Sequence, residues 1–224
     1  MKGFLRILFR RRERRKLLPS LSFPSVATIP FARFSYPTLL SNSLKQCGVK
    51  AVIFDKDNTL TPPYSFSMNE NTERAVRNCQ QLFGYDRVVI FSNSAGGRDG
   101  GDSQAGSEDD RGYLHAEAIE EEMGIKVIRH RQKKPEGLME AICAWDAVQP
   151  SEVMMVGDRY LTDIYGGNLL GMLTVAVDIF TEVNDNKGAI LGRRVERVLL
   201  KLCSCMQDRP LFQPIAAKYM ESVL

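Results

Sequence analysis

Four short polar segments hold the residues of this chain that could do chemistry. They are Asp55-Lys56-Asp57-Asn58-Thr59, Ser92-Asn93-Ser94, Lys133-Lys134-Pro135, and Gly157-Asp158-Arg159 followed by Thr162-Asp163. If they converge, Asp55, Asp57, Asp158 and Asp163 crowd negative charge into a small volume. Two carboxylates about 4 Å apart repel by roughly 1 kcal/mol in water and about 4 kcal/mol at an effective dielectric of 20, so such a cluster is poorly explained as structure alone. A hard divalent cation with oxygen ligands resolves it, and Mg2+ is the usual choice beside phosphate. Lys134 adds positive charge, while Ser92 and the amides after it offer donors to an anion at a strand–helix junction. Together these are the parts of a phosphoryl-transfer site. Residues i and i+2 of an extended segment share a face, so Asp55 and Asp57 can address one phosphorus centre. One carboxylate can attack in line; the other can protonate the leaving oxygen and later deprotonate water. That pairing favours a phosphatase over a dehalogenase or an ion pump.

The elements that must position these segments alternate along the chain. AVIF (51–54), VVIF (88–91), KVI (126–128), VMMV (153–156) and LTVAV (173–177) read as buried strands. Helical patterns fall near 69–82, 113–123, 136–145, 161–170 and 189–205. Repeated strand–helix alternation predicts an α/β fold, a Rossmann-like five-stranded parallel sheet with helices on both faces. Ligands of such sheets bind beyond the carboxyl ends of the strands, where four of the five strands lie close to one of the polar segments.

Composition bounds the rest. The chain has 224 residues, 44% hydrophobic and 25% charged, enough to bury a core. No apolar run approaches the roughly 18 residues of a spanning helix. Five scattered cysteines do not read as a disulfide framework. The net charge of +3 hides an asymmetry: residues 1–54 carry +10 and residues 55–224 carry −7. An acidic body argues against a nucleic-acid groove. Residues 1–16 hold eight basic residues, with Met1, Phe4, Leu5 and Leu8 on one helical stripe. This pattern suits an organelle transit peptide, an interfacial membrane helix or both. Three regions are expected: a basic targeting or membrane-associating arm at 1–45, irregular over 19–43; the catalytic domain at 46–182; and a helical extension at 183–224.

The four segments in this order resemble the motifs of the haloacid dehalogenase superfamily of phosphohydrolases, over roughly residues 49–178. More narrowly, FDKDNTLTPPY, VIFSNSAGG, VIRHRQKKPEG and MVGDRYLTDIYGGNLLG resemble its mitochondrial and plastid phosphatidylglycerophosphate phosphatases. The resemblance implies Asp55 as nucleophile and Mg2+ ligand, and Asp57 as general acid/base and a ligand through its backbone carbonyl. It implies Ser92 and Asn93 as phosphoryl binders, Lys134 as the neutralising cation, Asp158 as a metal ligand and Asp163 as support for metal or lysine from behind. Lys133 competes for the lysine role; Pro135, suited to a helix start, favours Lys134. His130, near the lysine pair, is a candidate substrate contact.

Only residues 60–87 and 93–133 separate the segments where a cap could be inserted, and neither gap can hold one. An open site suits a bulky phosphate at a membrane surface. The reading is therefore an Mg2+-dependent phosphatase acting on phosphatidylglycerophosphate at an anionic surface, peripheral on the inner membrane of a mitochondrion or plastid. No nucleic-acid partner is expected, and a homo-oligomer is left open. Polynucleotide or protein phosphates would fit the same chemistry, and a membrane-docked interaction protein is the non-enzyme alternative. The Gly-rich acidic stretch 98–112 reads as a surface insertion or a lid. Leu191, Val195, Val198 and Leu202 share a face of the last helix, with Arg193, Arg194, Arg197 and Lys201 elsewhere; that helix reads as core-packed or membrane-surface.

Overall fold

A computed structural model describes residues 26–29, 45, 48–97, 111–183 and 185–204. All five expected strands form: β2 (Ala51–Phe54), β3 (Val88–Ile90), β4 (Lys126–Val127), β5 (Val153–Gly157) and β6 (Leu173–Val177). A sixth, β1 (Val26–Ile29), joins at the edge, within the stretch expected to be irregular. Its four residues sit between Pro24 and Pro30, which read as turn signals; proline is tolerated at a sheet edge, where a ladder hydrogen bond is not required. The sheet order is β1-β6-β5-β2-β3-β4, with every neighbouring pair parallel.

The central strands are apolar throughout because both faces are covered. Val52, Phe54, Val88, Ile90, Met154 and Val156 pack toward Ala75 and Val76 of α1 (Glu70–Phe83) and Ala116 and Ile119 of α2 (Arg111–Met123). The alternate residues Ala51, Ile53, Val89, Val153 and Met155 pack toward Leu138, Ala141 and Ile142 of α3 (Leu138–Cys143). The period of two along each strand thus divides the core into two layers. Asn69 caps α1 by accepting from the Thr72 amide at 2.9 Å. Helix α3 is shorter than the 136–145 expected and starts three residues after Pro135.

The stretch expected as one helix over 161–170 has two parts. Residues Tyr160–Ile164 form a wide π-type turn, in which the amides of Asp163 and Ile164 both donate to the Arg159 carbonyl; α4 (Tyr165–Leu170) follows. The strand order turns at β2, which pairs with β3 on one side and β5 on the other. The carboxyl ends of β2 and β5 therefore flank the crevice where open α/β sheets bind ligands.

The last helix, α5 (Lys187–Ser204), lies against the body in the reverse of the core-packed sense. Its polar Arg193 and Glu196 are 8% and 3% exposed, whereas Leu191, Val195 and Val198 are 51%, 39% and 58% exposed. Among the described residues no helix is long and apolar enough to cross a membrane. The arm helix expected over 1–16 lies outside the described residues, as does the acidic loop except for Arg111 and Gly112, which open α2.

Candidate active site

Strand β2 ends at Phe54, and the next residues leave the sheet as the Asp55-Lys56-Asp57 loop. Asp55 is held at the strand end by its amide, which donates to the Val156 carbonyl at 2.9 Å. Strand β5 delivers Asp158 from alongside. The wide turn after it brings Asp163 back over Gly157, and the Arg159 amide donates to Asp163 Oδ2 at 3.1 Å. A Cβ on Gly157 would stand 2.3 Å from that oxygen, so only glycine admits the approach. Asp55, Asp158 and Asp163 each offer a carboxylate oxygen, all within 4.8 Å of one another, and all three residues are buried. Lys134 reaches into this cluster from the segment before α3. Its Nζ donates to Asp55 Oδ1 and pairs with Asp163 Oδ1, both at 2.7 Å.

Lys134, not Lys133, is therefore the cation among the carboxylates; Lys133 lines the cleft above it. The Lys134 amide donates to Asn93 Oδ1 at 2.7 Å, which ties the lysine segment to the loop after β3. In that loop Ser92 Oγ accepts from the Ser94 amide at 3.2 Å, and Ser94 Oγ donates to Asp57 Oδ2 at 3.0 Å. Asp57 is thus turned toward the serines rather than into the buried acid cluster. Its Oδ1 also accepts from the Tyr64 amide at 3.1 Å and from Lys56 Nζ at 2.7 Å. The side chain of Lys56 is fully buried.

His130 does not stand where a substrate contact was expected. It is buried beneath the 92–95 loop and is not among the residues lining the cleft. Its Nε2 lies 2.9 Å from the Ser92 carbonyl and 3.2 Å from that of Ala95. Two facing carbonyls require the proton on Nε2, so the ring braces the loop from below. Phe91 packs edge-on against the ring at 4.4 Å between centroids.

Two residues of the site carried no motif. Arg193 of α5 donates through Nε and Nη2 to Asp158 Oδ2 at 2.9 and 2.7 Å, and through Nη1 to Asp185. Asp185 also accepts from Asn58 Nδ2 at 3.1 Å, which fastens the α5 entry to the Asp55 loop. Residues assigned to a C-terminal extension therefore form one wall of the cleft. The signal available in the sequence was one of several basic residues on the polar side of an amphipathic helix, which by itself reads as a solvated charge.

Burial and like charge set the electrostatics. Burial, with Asp163 and Asp57 nearby, pushes the Asp55 carboxyl up to about 6 against the pull of Lys134. Burial, Asp55 and Asp163 push Asp158 up to about 8, opposed by Arg193. The two carboxylates hold Lys134 above its ordinary value despite its burial. Asp158 Oδ1 is buried and has no hydrogen-bond partner among the described residues. An orphaned buried carboxylate oxygen beside two further carboxylates is a set of hard oxygen donors with unsatisfied negative charge, and it fits Mg2+. The cleft over these groups has a volume of about 280 Å³ and is lined on one side by Ser92, Asn93 and Ser94 and on the other by Asn186, Ala189 and Arg193.

A family model described as mitochondrial PGP phosphatase matches residues 2–179. The chain is 41% identical over 158 residues to the chloroplastic/mitochondrial phosphatidylglycerophosphate phosphatase 1 of Arabidopsis thaliana, covering 70% of this chain and 42% of that protein. It is 36% identical over 179 residues to the chloroplastic phosphatidylglycerophosphate phosphatase 1 of Chlamydomonas reinhardtii, covering 80% and 59%. With the mitochondrial phosphatidylglycerophosphatase of Saccharomyces cerevisiae it shares 30% identity over 173 residues, covering 75% and 84%. The chain spans about half the length of the two plant and algal relatives.

Proposed function

The chain belongs to the mitochondrial PGP phosphatase family, and on that footing we propose that it hydrolyses the terminal phosphate of phosphatidylglycerophosphate, releasing phosphatidylglycerol and phosphate. The observation that carries this reading is the meeting of Asp55, Lys134 and Asp158 beyond β2 and β5, with Asp57 turned toward the Ser92–Ser94 loop. Asp55 is the nucleophile. Its carboxylate oxygen attacks phosphorus, the bond from phosphorus to the glycerol oxygen breaks, and the phosphoryl group is left on Asp55. Asp57 gives its proton to the departing glycerol oxygen. It then takes a proton from water, whose oxygen attacks the same phosphorus; phosphate leaves and the Asp55 carboxylate returns. Ser92 and Asn93 hold the phosphoryl oxygens, and Lys134 keeps Asp55 ionised through its 2.7 Å contact.

The Asp55 and Asp158 carboxylates, with the backbone carbonyl of Asp57, would hold Mg2+, and Asp163 supports both the cluster and Lys134. Bound there, the cation supplies charge neutralisation for the attacking carboxylate and the phosphoryl oxygens. Arg193 keeps Asp158 Oδ2 occupied, which leaves Oδ1 as the oxygen free for a cation.

A lipid substrate suits a cleft that no inserted domain covers among the described residues. The relatives' names place them in mitochondria and chloroplasts, and the basic, acid-poor residues 1–16 suit the same destinations. The test is phosphate release from phosphatidylglycerophosphate in mixed detergent micelles, with Asp55→Asn as control. We expect wild-type turnover with Mg2+ and none from the variant. A wild-type protein that ignores the lipid but cleaves a phospho-oligonucleotide or phosphopeptide overturns the substrate assignment and leaves the chemistry standing.

A further inference from the structure

Helix α5 presents two unlike faces. Ala189, Arg193 and Glu196, spaced i, i+4 and i+7, point into the body: Ala189 and Arg193 line the cleft and Arg193 grips Asp158. Glu196 Oε1 accepts from the Leu161 amide at 3.1 Å and pairs with Arg159. At 100° per residue, Leu191, Val195 and Val198 fall on the opposite side, and all three are exposed. A helix packed for its apolar stripe would have buried these and left the arginine in water. Here the charged face is spent on the catalytic cluster, and the apolar face is left outward.

Charge identifies what the outward face meets. Exposed Lys187, Arg194 and Arg197 flank the apolar stripe, Arg197 sharing a 3.4 Å exposed contact with Glu182. The one acidic residue between 187 and 198 is Glu196, and it is buried. An apolar stripe edged by cations, on a helix of low overall hydrophobicity, is the pattern of a helix lying in the plane of an anionic bilayer. Tyr64, 57% exposed on the rim of the same cleft, has the amphipathic ring that settles at headgroup depth. We propose that α5 is the interfacial helix that docks this protein on an anionic membrane. A helix is about 10 Å across, so docking by its outer face holds the cleft within one helix diameter of the headgroups. This deepens the lipid-phosphatase reading and rests on it: the surface that carries the substrate is the surface α5 binds.

The experiment compares the full chain with Leu191→Gln/Val195→Gln/Val198→Gln and with Arg194→Gln/Arg197→Gln. Sedimentation with vesicles of phosphatidylglycerol and phosphatidylcholine, or of phosphatidylcholine alone, measures binding. The basic arm is common to all variants, so differences report α5. Wild type should prefer the anionic vesicles. Binding should fall about fivefold for each arginine removed and at least about tenfold for the triple apolar variant. Turnover of a soluble aryl phosphate and of lipid in detergent should stay unchanged in every variant. Unchanged vesicle binding overturns the proposal. So does a loss of aryl-phosphate turnover, which would make the stripe part of the fold, or a dimeric wild type that becomes monomeric in the triple variant, which would make it an interface between copies. If wild type cleaves aryl phosphate but no lipid even in detergent, the substrate reading fails on its own, and the vesicle data still judge α5.

Discussion

At the scale of single residues, the chemistry rests on how each carboxylate is occupied. Asp55 meets Lys134, Asp57 meets Ser94 and Lys56, and Asp158 meets Arg193. The placement of Asp55 and Lys134 could be anticipated because Asp55 directly follows a strand end and Lys134 directly precedes Pro135, just before the start of α3, where spacing constrains position. Arg193 could not, because 30 residues and a whole strand separate it from Asp163 in sequence, and a basic residue on a helix has water as its default partner. Its contacts make a definite prediction. Replacing Arg193 with Met leaves Asp158 buried beside Asp55 and Asp163 without its counter-ion. At a pH above about 8, where Asp158 is ionised, breaking a buried pair in this way costs about 3–5 kcal/mol of stability. It also frees Asp158 to rotate, so the Mg2+ concentration for half-maximal activity should rise. Chemical denaturation and a cation titration of aryl-phosphate turnover check the two effects. Arg193→Lys should recover part of the stability, since one ammonium replaces a forked contact.

Elements decide how closely these residues can approach. Alternating apolar runs and helical periods were enough to place β2 to β6 and the flanking helices, because a parallel sheet buried on both faces leaves continuous apolar strands. The wide turn at Tyr160–Ile164 was not legible: its sequence has ordinary helical character, and the extra residue per turn is imposed by the pairing of Asp163 with the Arg159 amide. Nor was the orientation of α5. Periodicity tells that a helix has two faces, but which one turns inward depends on the surface it meets, and that surface here is polar, with Asp158 meeting Arg193 and Arg159 meeting Glu196, rather than apolar. The turn yields a second prediction. In Gly157→Ala the new methyl collides with the Asp163 carboxylate, whose Cγ would be 2.5 Å away. Overpacking of this kind costs about 1–3 kcal/mol. The expected result is a folded protein, by circular dichroism, with at least about tenfold lower kcat, because Asp163 no longer holds Lys134 in place.

Across the whole molecule, the buried acid cluster predicts a stability that varies with pH and with added cation. The Asp55 and Asp158 carboxyls lie near 6 and 8 in the folded state, above their ordinary value of 3.8. A raised carboxyl binds its proton more tightly when folded. The unfolded chain therefore loses protons first, and stability falls as pH rises through the window from about 4 to about 8. A cation that replaces those protons removes the penalty. Cation-free protein should show a lower Tm at pH 8.5 than at pH 6, by at least about 2–4 °C for each kcal/mol lost. Adding Mg2+ should raise Tm more at pH 8.5 than at pH 6, and Asp158→Asn should flatten the pH dependence. A Tm that climbs between pH 6 and 8.5 without cation contradicts this account of the cluster.

The measurement that bears most directly on the central claim is the fate of the phosphoryl group. An aryl phosphate, whose leaving oxide needs no proton from Asp57, is mixed with Asp57→Asn, in which loss of the general base should slow breakdown of the intermediate by about 10²–10⁴-fold. The reaction is quenched in acid, and the protein is digested and mapped by mass spectrometry. One phosphoryl group should be found on Asp55, and none when Asp55→Asn is combined with it. A phosphoryl group on Ser92, or none on the protein while phosphate is still released, would contradict the mechanism derived from this site.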